Sequence, residues 1–295
     1  MPITELAEHF PWLVPVFGAV LGLLVGSFIN VVAWRLPIMM EIAWRRETRS
    51  ASESGIEIPA DIDPDRFSLW MPGSACPHCN TPIQALQNIP VLSYAFLRGR
   101  CAHCAQRISS RYPIVEAFVG LCSAIVAWRF GFTWQCLLAL GLTWTLISAS
   151  IIDIDHYLLP DSLTLPLLWA GLLIAALAPD LAFTDLHSAV IGAAAGYLSL
   201  WSVAKLFHLV TGKEGMGYGD FKLLGALGAW FGWQTLPLII TLSAAVGSIA
   251  GVAAIALFRH SRHKPIPFGP YLAAAGWIAL LWGADLIALY LDLVL

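Results

Sequence analysis

Charge is what this sequence has least of. Asp, Glu, Lys and Arg make up 12% of the 295 residues against 58% hydrophobic, and the mean hydropathy is +0.74. A water-soluble domain carries about twice that share of charge, so a soluble globular fold is excluded. A basic start is missing too. Glu5 and Glu8 precede a long apolar run, so the beginning does not read as a cleaved secretory leader and the run is taken as the first span. No internal repeat appears, nor a matched pair of interrupted apolar segments, which removes the usual marks of a carrier built from two halves. The net charge of -3 says little, because in a membrane protein the placement of Lys and Arg is what informs.

Long apolar runs are what the chain does have. At about 20 apolar residues per crossing, spans are expected near 12–34, 114–131, 134–152, 162–179, 187–209, 221–232, 236–258 and 269–292. The fold class is therefore an all-α polytopic membrane protein with about eight transmembrane helices. Thirteen tryptophans suit interfacial belts. The sixth run is too short to cross unaided and reads as a half-helix or as part of its neighbour. Arg and Lys crowd the loops 35–113, 210–220 and 259–268, whereas the opposite loops hold Arg129 with Asp180 and Asp185. The positive-inside rule then puts the basic loops in the cytoplasm and both termini outside. The chain divides into a first span at 1–34, a cytoplasmic loop at 35–113 and a helical membrane core at 114–295. Within the loop, residues 41–66 are charged and poor in apolar side chains, which reads as a loosely packed arm.

The loop carries four of the six cysteines. Cys76-Pro77-His78-Cys79 and Cys101-Ala102-His103-Cys104 are two C-x2-C pairs separated by 21 residues. Two such pairs match a tetrahedral zinc site with four thiolate ligands. Disulfides are disfavoured in a cytoplasmic loop, and no βαβ pattern marks a redox motif. Four closed ligands leave no open position, so the zinc is expected to be structural and to supply folding energy to a loop with little core. His78 and His103 are expected to face solvent, and Cys122 and Cys136 to pack inside spans.

Four acids fall at the membrane edge on the side of the basic loops: Asp153, Asp155, Asp161 and Asp220. Asp161 follows Pro160 at the head of an apolar run and reads as a helix cap. Asp155 and His156 read as solvated. Asp153 is still attached to its span, and Asp220 closes the turn Gly217-Tyr218-Gly219-Asp220, whose glycines let an extended chain approach. Such acids are costly near hydrocarbon and need a reason. Asp153 and Asp220 together permit aspartyl protease chemistry, in which two close carboxylates share one proton. The alternative is a transporter or proton-coupled carrier using the same acids, and a weaker third reading is a zinc-containing scaffold without chemistry.

Taken together, several motifs resemble the type IV prepilin peptidases, GxGD-type intramembrane aspartyl proteases that are also N-methyltransferases. They are Gly26-Ser27-Phe28-Ile29-Asn30 leading to Arg35-Leu36-Pro37, the two cysteine pairs, Arg111-Tyr112-Pro113-Ile114-Val115-Glu116, Asp153-Ile154-Asp155, Gly217 to Leu223, and Pro267-Phe268-Gly269-Pro270. The resemblance implies that Asp153 and Asp220 are catalytic and face the cytoplasm from a bacterial inner membrane. It implies prepilins or pseudopilins as substrates, cut after a short basic leader, with the new N-terminal amine methylated from S-adenosylmethionine. Lipid is the other partner, and no nucleic acid is expected. No strand followed by GxGxG marks a Rossmann-type site for S-adenosylmethionine. Glu116 reads equally as an anchor for a cationic group or as an interfacial acid that pairs with Arg111 or caps its helix, and Asp285 as structural or interfacial.

Overall fold

The computed structural model describes residues 10–48, 56–59, 62–213, 215–258 and 267–294. Arg49, Arg259, Arg262 and Lys264, four of the residues used above to orient the chain, lie outside them. Among the described residues the chain is helical without a named strand, and it forms two compact units, 1–136 and 137–295. Each expected span coincides with a helix. These are α1 (Leu13–Thr48), α2 (Arg111–Phe130), α3 (Trp134–His156), α4 (Asp161–Leu177), α5 (Leu186–Thr211), α6 (Tyr218–Phe231), α7 (Leu236–Phe258) and α8 (Gly269–Val294). By length and composition α1, α2, α3, α5, α7 and α8 are apolar enough to cross a membrane. The 17 residues of α4 and the 14 of α6 are too short for that class.

In the first unit, α1 packs on α2 through small residues. Gly18, Gly22 and Gly26 recur every fourth position, and a Cβ on any of them would lie within 2.8 Å of the α2 backbone, at Ser123, Val119 and Glu116 respectively. Close approach of this kind is how helices associate in lipid, where no hydrophobic drive separates helix from solvent. Asn30 ties the pair at one end, its Nδ2 donating to the Tyr112 carbonyl at 3.3 Å. The first helix does not stop where the apolar run does. It continues through Pro37 to Thr48, so residues 41–48 are helical where a loose arm is expected from composition. The extension is held by the Glu41–Arg45 pair at 2.5 Å, with Glu41 nearly fully buried, and by Arg46 donating to the Pro64 carbonyl and to Asp65.

In the second unit the shortest helix is the most enclosed. Every residue of α6 from Asp220 to Phe231 is buried except Lys222. A helix of this length spans about 21 Å, less than the hydrocarbon thickness of about 30 Å, and it is stable because neighbouring helices rather than lipid surround it. Glycines again set the approach. Gly192 in α5 and Gly228 in α6 meet backbone to backbone, so that a Cβ on either would overlap the other's carbonyl, and Gly196 faces the Leu224 carbonyl in the same way. On the α4 side, Trp230 occupies the space left by Gly171 and donates its indole N–H to the Leu167 carbonyl at 2.8 Å. Gly232, at φ 79°, ends α6 in a conformation that an L side chain resists, and α7 follows as a separate helix. The sixth span is thus a buried half-helix and is not merged with its neighbour.

Candidate active site and metal centre

The candidate metal centre is built from local turns. Cys76 N–H donates to the Thr81 carbonyl at 3.0 Å and Asn80 N–H returns to the Cys76 carbonyl at 2.9 Å. The second pair repeats the pattern, Cys101 to Gln106 at 2.8 Å and Ala105 to Cys101 at 3.0 Å. Asn80 and Ala105, each just after a second cysteine, take positive φ of 52° and 58°. The two knuckles therefore have one backbone design, and it turns all four sulfurs inward. Cys76 Sγ lies 3.9 Å from Cys104 Sγ, Cys79 Sγ lies 4.0 Å from Cys101 Sγ, and all four sit within 4.8 Å of one another. A tetrahedron with metal–sulfur bonds of about 2.3 Å has edges of about 3.8 Å, so the cluster has the size of a four-thiolate metal site. Thr81, through its side chain and its backbone N–H, holds the Cys79 thiol down to about 6. At Cys104 the Gln106 backbone N–H is outweighed by desolvation and the Cys101, Cys79 and Cys76 sulfurs, which push the thiol up to about 11, so without a metal the sulfurs cannot all be thiolates together. His78 and His103 are exposed, while Cys122 and Cys136 are buried in helices, as expected.

The carboxylate site needs three segments distant in sequence. Asp153 stands in the last turn of α3 and is 5% exposed; Asp220 stands in the first turn of α6 and is 7% exposed. The α3 helix runs one turn past the apolar run, which places Asp153 inside the helix instead of beyond its end. The Oδ2 of Asp153 accepts the backbone N–H of Gly269, the first residue of α8, at 2.9 Å. Asp220 has the Gly217 backbone N–H, but its Oδ1 is buried with no hydrogen-bond partner. The two carboxylates are close enough for the charge of Asp153 to act on Asp220.

Leu159 is the wedge that brings these segments together. It sits in the turn between α3 and α4, buried, and its side chain fills the space that a Cβ on Gly219 or on Gly269 would need, 2.6 Å and 3.1 Å away respectively. A Cβ on Gly269 would also lie 2.6 Å from Asp153 Oδ2. Gly219 is thus a packing glycine and offers no open backbone to an approaching chain, whereas a Cβ on Gly217 would meet only Asp220 Oδ2 at 3.8 Å. Asp161 is the first residue of α4, with Pro160 in the capping position, so it does not cap. Its carboxylate takes Lys222 Nζ at 2.6 and 2.7 Å, a second tie between the α3–α4 turn and the head of α6. Asp155 and Asp285 are exposed.

Glu116 belongs to neither centre. It is buried in α2 and accepts the Val91 N–H at 2.8 Å. Val91 takes φ 59°, a region that costs a β-branched residue of order 1–3 kcal/mol, so the carboxylate pins a strained turn of the loop.

Residues 20–130 match the bacterial peptidase A24 N-terminal domain, and residues 140–252 match the type IV leader peptidase family. Over 293 residues the chain is 53% identical to a prepilin leader peptidase/N-methyltransferase of Aeromonas salmonicida, with 99% of both chains covered. The chain belongs to the type IV leader peptidase family. Two further members named for the same two activities are similar at full length: one from Stutzerimonas stutzeri (53% over 291 residues, 99% and 98% covered) and one from Pseudomonas aeruginosa (52% over 292 residues, 99% and 98% covered). The two family segments of this leader peptidase fall on either side of the boundary between its compact units. No solved structure matches the chain.

Proposed function

We propose that the chain removes the short basic leader from type IV prepilins and pseudopilins at the cytoplasmic face of the bacterial inner membrane, using Asp153 and Asp220, and then N-methylates the new N-terminus from S-adenosylmethionine. Full-length relatives named for both activities support the reading. The observation that carries the peptidase half is the pairing of two buried, interacting carboxylates, each with one backbone donor, Gly269 for Asp153 and Gly217 for Asp220, and with one oxygen of Asp220 left unpartnered.

Two like charges this close do not both ionise, and the surroundings decide which one does. The N–H of Gly269, at the head of a long helix, favours the anion on Asp153. Asp220 has the Gly217 backbone N–H on one side, but its other oxygen is buried without a donor, which favours the neutral acid there. Asp153 then takes a proton from water as the water oxygen attacks the scissile carbonyl carbon, and Asp220 gives its proton to the carbonyl oxygen. The tetrahedral diol collapses when Asp153 returns its proton to the departing amine and Asp220 recovers one from a diol hydroxyl, so the pair ends as it began. The first turn of α6 stabilises Asp220 during the interval in which it is the anion. The transporter alternative draws no support from this geometry, since both acids stand at helix ends, away from the middle of a span.

The four cysteines fit a structural zinc with no position left for substrate. Bound there, the metal cross-links the two knuckles of the loop. S-adenosylmethionine enters as methyl donor to the amine that cleavage exposes.

Incubation of the membrane-inserted protein with a model prepilin, followed by mass measurement, tests both halves. The expected product lacks the leader, and it is one methyl heavier only when S-adenosylmethionine is added. An intact substrate would overturn the assignment.

A further inference from the structure

Residues 67–72 run back along α1 instead of outward from it. Arg35, itself 6% exposed, donates to the carbonyls of Ser68 (2.9 Å), Leu69 (3.4 Å) and Pro72 (2.6 Å). Phe67 lies against Trp34 at 6.0 Å, with the Arg35 guanidinium 5.6 Å over its ring. Further along, Trp70 stacks on Phe28, centroids 5.3 Å apart and planes 21° from parallel. Phe28 precedes Arg35 by two helical turns, about 10 Å.

That displacement fixes a depth. From Leu13 to Trp34 the first helix carries no charge, and its length over this stretch, about 33 Å, matches a hydrocarbon core of about 30 Å. Arg35 is therefore at the membrane interface and Phe28 is below it. Val16, Val20, Leu24 and Phe28 form an exposed apolar stripe at every fourth position, on the side of α1 turned away from the glycines that meet α2. Trp70, stacked on the last of these and itself 76% exposed, extends that stripe, with Met71 beside it at 61%.

Irregular backbone is tolerated at such a depth only when its polar groups are satisfied from within. Ser68 and Arg35 supply most of the partners here. Ser68 N–H donates to the Met71 carbonyl, the Ser68 hydroxyl accepts from Trp70 N–H and Met71 N–H at 3.3 and 3.0 Å, and Pro72 has no N–H to satisfy. With the three carbonyls held by Arg35, seven of the eleven backbone polar groups of 67–72 have partners, and the turn presents large apolar side chains around them.

We propose that residues 67–72 form a lipid-inserted turn in which Trp70 and Met71 enter the acyl boundary beside α1 and anchor the loop whose first metal-site cysteine, Cys76, follows shortly after. The occupant of this surface is the bilayer itself, and the inference is independent of the catalytic reading. Fluorine NMR of the full chain, labelled with fluorotryptophan in lipid nanodiscs, tests it. The resonance lost in both Trp70→Phe and Trp70→Tyr is that of Trp70. It is expected to broaden beyond detection with a nitroxide placed high on the lipid acyl chain and to persist with an aqueous gadolinium chelate. In Arg35→Lys, which cannot span three carbonyls, the same resonance is expected to become sensitive to the chelate. Broadening by the chelate in the unsubstituted chain overturns the proposal. So does broadening only by a nitroxide carried on an added prepilin segment, which assigns the face to substrate.

Discussion

The sulfur cluster and the carboxylate pair are held in opposite ways. Around the cysteines every constraint is local: each knuckle closes its own turn, and only the meeting of two knuckles is long-range. Around the aspartates almost nothing is local. Asp153, Asp220 and the Gly269 N–H come from three helix ends, and their spacing is set by Leu159 and by glycines that let helices touch. The first arrangement is expected to depend on metal for cohesion, because the loop has little core of its own. The second depends on packing, so that a single added methyl group at the right glycine is expected to act like a change in one of the two acids.

The largest effect is expected where the carboxylates themselves are removed. Asp153→Ala or Asp220→Ala should lower leader cleavage by at least about 10³-fold, the scale for losing one member of a set that acts as a unit. Both proteins should still insert and purify at ordinary yield, which separates lost chemistry from lost fold. On the other side of the comparison, Cys76→Ser should strip the bound zinc, read by metal analysis, and open residues 72–112 to limited proteolysis while 137–295 keeps its resistance. Unchanged metal content would refute the four-thiolate site.

A smaller effect separates packing from chemistry. Gly269→Ala places a methyl against Asp153 Oδ2 and Leu159 while leaving both acids in the chain. Misplacement of a catalytic group by about 1 Å costs on the order of 10²-fold, so cleavage should fall to about that extent with expression intact. Wild-type rates would show that the α8 head does not position Asp153. The smallest effect is expected from Lys222→Met. It removes an ion pair whose acid is 57% exposed, and half-exposed pairs contribute about 0–1 kcal/mol. Thermal unfolding in detergent should shift by a few degrees at most, and a large loss would mean that the tie to Asp161 carries more of the site than its exposure implies.

What the sequence makes legible follows the same division. The cysteine centre is readable from spacing alone, because its geometry is made within two short turns. The spans are readable because lipid demands long apolar runs, and each expected run is a helix. Asp153 and Asp220 could be singled out as acids at span edges, but not the reason they differ: the Gly269 N–H arrives from 116 residues away along the chain. Leu159 carried no signal, as one leucine among many. The small-residue stripes at Gly18, Gly22 and Gly26 and at Gly192 and Gly196 were a signal that periodicity at four would have found. The helical arm at 41–48 went unseen because composition records its charges but not the buried Glu41–Arg45 pair. The Asp161 carboxylate was misjudged as a cap, since its partner Lys222 lies far along the chain.

The central claim is that Asp153 and Asp220 act as one unit. The measurement that tests it most directly is the leader-cleavage rate of Asp153→Asn, Asp220→Asn and the double variant in the same membranes. A shared proton predicts that each single substitution removes nearly all activity and that the double variant is no slower than either. A single variant that still cleaves a prepilin at an appreciable rate, or a double variant whose loss is the product of two modest ones, would contradict it.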